Sequence, residues 1–227
     1  MNSQSVSPAD EGPQRGTRAR IHVSKSILVA RDVQAYFPSS FHITAAGAVG
    51  MPWYGSHPYL NEFILENGCR RILEIGVYDG ENARRMVEVA LRDAAPDEVE
   101  YYGFDFFSYN SASRVERKLS ETGCRYRLYR GNTLETLPEA VRALPRMDVI
   151  FIDGGKSYRE AKSDWESSSL LMHEGTGVFV HNVDFWGVGR MVDEIPRDRY
   201  EVEVFHAPSE GSVALIRKKL EGRRAAL

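Results

Sequence analysis

Between Arg70 and Lys218, short apolar runs alternate with stretches of helical periodicity, and this alternation restricts the chain to parallel strands joined by crossover helices. The runs RILEI (71–75), VEYYGFD (99–105), YRLY (126–129), DVIFID (148–153) and GVFVH (177–181) read as strands. Ala83, Met86, Val87, Ala90 and Leu91 follow the spacing of a helix with one buried face, as do Ala112, Val115 and Leu119. LETLPEAVRAL (134–144) reads as a helix bent or begun at Pro138, and Tyr158, Ala161, Trp165 and Met172 as one helical stripe, which makes Trp165 a core residue. After a helix at 188–195, YEVEVF and SVALIRK follow with no helix between them, so the closing pair must include an antiparallel member. The expected fold is α/β: a doubly wound, mainly parallel seven-stranded sheet with an antiparallel strand near the C-terminus.

The preceding segment reads differently. Residues 1–20 are Ser, Pro, Gly and charge with little to bury, and are expected to be a disordered lead-in. Residues 21–68 read as a cap. Within it, 24–37 is a helix or irregular segment, the Gly-, Pro- and aromatic-rich stretch after it is a loop, and Tyr59, Leu60, Phe63 and Ile64 mark a short helix stopped at Asn67-Gly68. The main domain is 69–220. Trp53, Tyr54, His57 and Trp186 could line a pocket; an aromatic cap would equally pair two chains into a homo-oligomer.

Charge and cysteine usage exclude several classes. With 29 basic against 32 acidic residues the net charge is −3, which gives no broad positive surface for nucleic acid or an anionic membrane. Cys69 and Cys124 form no CxxC pair, so they read as small packing residues of a cytoplasmic chain. No apolar run approaches the roughly 20 residues of a membrane span.

In an open α/β sheet, ligands lie beyond the carboxyl ends of the strands. The first strand runs into Glu74-Ile75-Gly76-Val77-Tyr78-Asp79-Gly80, where two glycines permit a sharp turn against a ligand and the next helix aims its N–H groups at the same place. A plain strand-to-helix connection explains that turn equally well, and it is not the GxGxxG dinucleotide fingerprint. Asp105 ends the second strand, where a ribose diol could meet it, although an Asp there is also an ordinary cap. Asn132-Thr133 suits an adenine edge or, equally, a helix cap. Asp153-Gly154-Gly155-Lys156 follows the fourth strand and His181-Asn182-Val183-Asp184 the fifth.

LEIGVYDG, the acid of YGFD, RGNTLETLP, DVIFIDGGKSY and VFVHNVDFWGVGRMVDEI, taken in this order, resemble a class I S-adenosylmethionine-dependent methyltransferase. The nearest branch is the small-molecule O-methyltransferases related to macrocin O-methyltransferase, and the resemblance spans roughly 50–218. It implies that Glu74, Gly76 and Gly80 surround the methionine part of S-adenosyl-L-methionine and that Val77 and Tyr78 of the same turn also bind the cofactor. It further implies that Asp105 holds the ribose, that Asn132 and Thr133 lie beside adenine, and that Asp153 borders the same site. Phe106 would pack on the adenine face or serve as core.

One departure stands out. That branch usually carries Asp-Asp-Tyr where this chain has His181-Asn182-Val183, and often His where it has Lys156. Metal-dependent relatives bind magnesium at these acids, so Asp153, His181 and Asn182 are the candidate ligands here. The His weakens a magnesium site or shifts it toward manganese. Without a metal, His181 could be the base and Lys156 could orient or acidify the acceptor, against the plain alternatives of a hydrogen-bonding strand-end His and a solvated Lys. The expected activity is methyl transfer to a hydroxyl of a small molecule, a sugar or secondary metabolite. The competing readings are a nicotinamide-dependent oxidoreductase, against which the missing third glycine argues, and a cofactor-binding protein without catalysis.

Overall fold

The computed structural model describes residues 57–207 and 211–220. The expectations for residues 1–56, Trp53 and Tyr54 among them, lie outside the described residues. The described chain runs α1 (Pro58–Glu66), β1 (Arg71–Ile75), α2 (Glu81–Ala90), β2 (Glu100–Asp105), α3 (Ala112–Ser120), β3 (Arg125–Arg130), α4 (Thr133–Ala140), β4 (Met147–Ile152), α5 (Tyr158–Ser169), β5 (Met172–His181), α6 (Trp186–Asp193), β6 (Tyr200–Ala207) and β7 (Gly211–Lys218).

The seven strands form one sheet in the order β3-β2-β1-β4-β5-β7-β6. β1 pairs in parallel with both β2 and β4, so the strand order reverses between β1 and β4 and opens a crevice at their carboxyl ends. β7 lies between β5 and β6 and is antiparallel to both, which meets the expectation of an antiparallel closing strand. Alternation along the parallel strands builds two cores. Ile72 packs with Leu60, Ile64, Met86 and Val115 on the face of α1–α3, while Leu73 and Ile75 pack with Leu137, Ala161, Trp165 and Met191 on the face of α4–α6. Trp165 is buried edge-on to Tyr200, and Cys69 and Cys124 are buried thiols, as packing residues should be.

Several boundaries differ from the sequence reading: α6, read at 188–195, spans Trp186–Asp193. Met172 does not continue the stripe of Tyr158, Ala161 and Trp165; it opens β5. The helix ends at Ser169 with Leu170 as its cap, the Arg146 guanidinium binds the Leu170 carbonyl, and Met147 N–H takes the Leu171 carbonyl, which recruits the polar HEGTG stretch into a bulged strand. α4 begins at Thr133, five residues before Pro138, and runs through it; the Asn132 side chain accepts Leu134 N–H and fixes that start. A single 3-10 turn at Pro96–Glu98, not read from the sequence, leads into β2.

Candidate active site

Each strand end delivers its residues to the crevice with a distinct backbone device. Gly76 (φ +87°) and Gly80 (φ +77°) bracket the turn after β1, and an ideal Cβ on Gly80 would touch Val115 at 2.9 Å. The non-glycine residues with positive φ among the described residues are Tyr78 (+53°), Phe107 (+51°) and Asn182 (+60°), which follow β1, β2 and β5 respectively. Such conformations cost of order 1–3 kcal/mol each and gather where geometry is selected for function. All three lie at the same edge of the sheet.

Asp105 organises the first turn. Its Oδ2 accepts the N–H groups of Val77 and Tyr78, both at 2.9 Å, and Oδ1 accepts Phe107 N–H at 2.6 Å. Just below it, Phe104 stacks on Tyr129 with ring centroids 4.3 Å apart, fastening β2 to β3. A carboxylate offers about four acceptor positions, so backbone fills three and one remains for a donor from outside. The capping role and a ribose role are therefore compatible on this side chain. Phe106 and Tyr78 beside it expose about half of their surface, at 52% and 45%. Phe106 is thus a surface aromatic at the crevice edge and not a core residue.

Glu74 is buried on the α2 side of β1, where Asn82 Nδ2 donates to it at 2.8 Å and the Tyr101 hydroxyl donates to its other oxygen. Burial, only partly offset by those donors, pushes its carboxyl up to about 8. It stands two residues before Gly76, and a cationic ligand group is what such an acid would favour. Asn132 spends Oδ1 on its cap, and no acceptor among the described residues meets its Nδ2.

The tips of β4 and β5 carry a second cluster. Asp153 Oδ1 accepts both Lys156 Nζ at 2.5 Å and His181 Nδ1 at 2.9 Å. Burial pushes the Asp153 carboxyl up, but the His181 hydrogen bond and the Lys156 charge outweigh it and hold the group below the usual carboxylate range. An ionised Asp153 requires Nδ1 to donate, so Nε2 is the basic nitrogen of the neutral His181 ring. His57, the residue before α1, packs edge-on to His181 with centroids 4.9 Å apart and against Phe151 at 4.6 Å. Desolvation and the neighbouring His181 lower His57 to about 4. It is a buried neutral wall behind His181, whereas Trp186 and Phe185 at the start of α6 are exposed.

Two acids near this cluster are not among the candidate site residues of the sequence reading, although it places Asp184 at the fifth strand's tip. Asp164 on α5 is completely buried, and no donor closes a hydrogen bond on either oxygen. Burial drives it up to about 7, with the nearby Thr133 hydroxyl offsetting a little. The Ser157/Glu160 capping box fixes the start of α5 and would have placed Asp164 on the buried face of Ala161, Trp165 and Ser168. Asp184 is the other: its carboxylate accepts the N–H and the hydroxyl of Ser212.

The candidate metal ligands have other partners. Among the described residues no group of three His, Cys, Asp or Glu side chains is placed to hold an ion. Asp153 Oδ1 is taken by an ammonium and an imidazole N–H, and an ideal Cβ on Gly211 would sit 3.4 Å from Asn182 Nδ2, so that amide is turned toward β7.

A crevice at the β1/β4 reversal, a glycine turn pinned by the β2 acid and an antiparallel β7 define the class I methyltransferase fold. Residues 73–183 match the family model described as a methyltransferase domain. Among solved structures, TomG from Streptomyces achromogenes, an O-methyltransferase of tomaymycin synthesis determined in complex with SAM, aligns at 19% identity and TM-score 0.60 over 76% of this chain and 82% of its own. An O-methyltransferase from Bacillus cereus in complex with SAH aligns at 18% identity and TM-score 0.60, covering 77% and 84%. A protein from Klebsiella pneumoniae assigned as an O-methyltransferase aligns at 18% identity and TM-score 0.62, covering 78% and 84%. At these identities the neighbours establish the fold. No curated protein matches the sequence.

Proposed function

We propose that this chain moves a methyl group from S-adenosylmethionine to a hydroxyl of a small molecule, with His181 accepting the hydroxyl proton and Asp153 holding the imidazole in the required tautomer. The observation that carries the reading is the 2.9 Å Asp153–His181 contact beside the Gly76 turn, an acid-oriented base next to a cofactor crevice. When bound, S-adenosylmethionine supplies an electrophilic methyl group on a sulfonium. Glu74, Gly76, Val77, Tyr78 and Gly80 would hold its methionine part, Asp105 the ribose, and Phe106, Asn132 and Thr133 the adenine. Asp153 then serves the acceptor side of the crevice. The fit rests on the remaining acceptor position of Asp105, the exposed face of Phe106 and the buried acid Glu74.

The net charge of −3 supports a small-molecule partner in preference to nucleic acid or a membrane surface. No helix among the described residues is long and apolar enough to cross a membrane. Two buried unpaired thiols support a cytoplasmic setting. The acceptor class draws support from TomG, named for tomaymycin synthesis.

Calorimetry with S-adenosylmethionine and S-adenosylhomocysteine tests the reading. Binding should weaken at least ~10-fold in Asp105→Ala, the usual effect of losing a charged hydrogen-bond acceptor. Undiminished binding in that variant, or saturable binding of reduced nicotinamide cofactor by fluorescence, sinks the assignment.

A further inference from the structure

We propose that the Lys156 ammonium occupies the electrostatic place of a divalent cation in this site, so that the acceptor oxygen is activated between Lys156 and His181 without a metal ion. The inference rests on the methyl-transfer reading above and deepens it.

Three features of the chain bring it about. Nζ of Lys156 lies 2.5 Å from Oδ1 of Asp153, the carboxylate named above as a candidate metal ligand, and the same oxygen also receives His181 Nδ1–H. An ion carrying two positive charges cannot join an ammonium on that carboxylate without strong repulsion, so binding one disfavours the other. The lysine is also held from behind. An ideal Cβ on Gly187 of α6 would lie 2.5 Å from the Lys156 carbonyl and 2.4 Å from Tyr158 N, so helix and loop are in backbone contact, and the Ser157/Glu160 capping box fixes the next residue. The donor set completes the case: an imidazole and an amide at the β5 tip are poor partners for magnesium, which prefers oxygen in octahedral geometry.

The chemistry balances with these two side chains. The acceptor O–H proton passes to His181 Nε2 while the ammonium stabilises the charge developing on that oxygen. The oxygen's electron pair forms the new O–C bond, and the pair of the breaking S–C bond stays on sulfur, leaving a neutral thioether. Lys156 keeps its three protons throughout. Its side chain is 30% exposed and that of Asp153 18%, so the pair is partly open to solvent.

Mn²⁺ alone, followed by loss of its free-ion electron paramagnetic resonance signal, is the first test. The full wild-type chain should leave the signal of millimolar Mn²⁺ undiminished. Lys156→Gln should bind it at least ~10-fold more tightly, the consequence of removing a charge of like sign from the ligand position. Lys156→Arg, which keeps the cation, should exclude it as the wild type does, and guards against a folding defect in Lys156→Gln. Turnover is read as S-adenosylhomocysteine formed with a panel of phenols, catechols and sugars. It should survive chelation and fall ~10²-fold in Lys156→Gln, as when one preorganised charge-stabilising donor is removed. Tight Mn²⁺ binding by the wild type, or activity abolished by chelator and restored by Mg²⁺, would overturn the proposal. Calorimetry of S-adenosylmethionine on the same samples reports separately on the cofactor reading.

Discussion

An ideal Cβ on Gly76 would stand 2.4 Å from the carbonyl oxygen of Asp153, so the turn after β1 and the tip of β4 are in backbone contact across the crevice. Both chains are fixed from below by Gly76 N–H to the Phe104 carbonyl and Asp153 N–H to the Ile75 carbonyl, each at 2.8 Å. Neither side can retreat from a methyl group.

Gly76→Ala therefore combines a left-handed φ with a clash against backbone. It should lower stability by more than the ~1 kcal/mol that a left-handed alanine alone costs. Gly68→Ala isolates that smaller part, since Gly68 has φ +56° and open space around its Cβ position. Thermal unfolding of the two variants should show the larger fall for Gly76→Ala; equal falls would refute the contact.

Asp164 makes the stability pH-dependent in a defined direction. Its carboxyl is raised from 3.8 to about 7, so the folded chain keeps a proton that the unfolded chain has released. The contribution is greatest below pH 3.8 and is lost as pH climbs through 7. Asp164→Asn removes this slope and should gain on the wild type by about 4 kcal/mol at most once pH exceeds 7. Glu74, raised to about 8, contributes a slope of the same sign that the variant keeps. Urea unfolding of both proteins across pH 5 to 8.5 checks this, and parallel curves would exclude it.

The buried Glu74 depends on the donors it has. Tyr101→Phe removes the hydroxyl that donates to it without changing the packing of a ring that is fully buried. The loss should be about 1–3 kcal/mol, the cost of leaving a buried acceptor unsatisfied, and Glu74→Gln/Tyr101→Phe should lose less than the sum of its single variants. A double-mutant cycle in urea measures the coupling, and strict additivity would mean that the two side chains do not share the bond.

Much of this arrangement was legible because hydrophobic period and strand ends are local signals. β1 falls on RILEI as read, and β2, β3 and β4 lie within a residue of their runs at either end, since each is an apolar stretch bounded by turn residues. β5 was cut short because HEGTG is polar, and it enters the sheet only through partners distant in sequence: Met147 N–H on Leu171 and His173 on Asp148. At the site, residue identity at each strand tip was readable, but pairing was not. That Asp105 holds the glycine turn, and that Lys156 and His181 share one oxygen of Asp153, follow from strand order and loop geometry, which no single stretch of sequence encodes.

The loop carrying Phe185 and Trp186 is anchored from β7. Ser212 gives Asp184 both its N–H, at 2.9 Å, and its hydroxyl, at 2.7 Å; its carbonyl takes Val183 N–H, and His206 Nδ1 meets the same hydroxyl at 2.7 Å. Val213, the next residue, pairs in register with His181, so the anchor continues the ladder past the proposed base. Asp184→Ala removes both Ser212 bonds to the carboxylate while leaving Val183 N–H on β7. Amide exchange across residues 182–186 should then quicken, with the exchange of β1 and β4 unchanged, because opening of a surface loop need not involve the core. Turnover should fall more than cofactor affinity, since Asp105 and the Gly76 turn lie on other strands. Unchanged protection at 182–186 would show that the Val183 bond alone holds the loop.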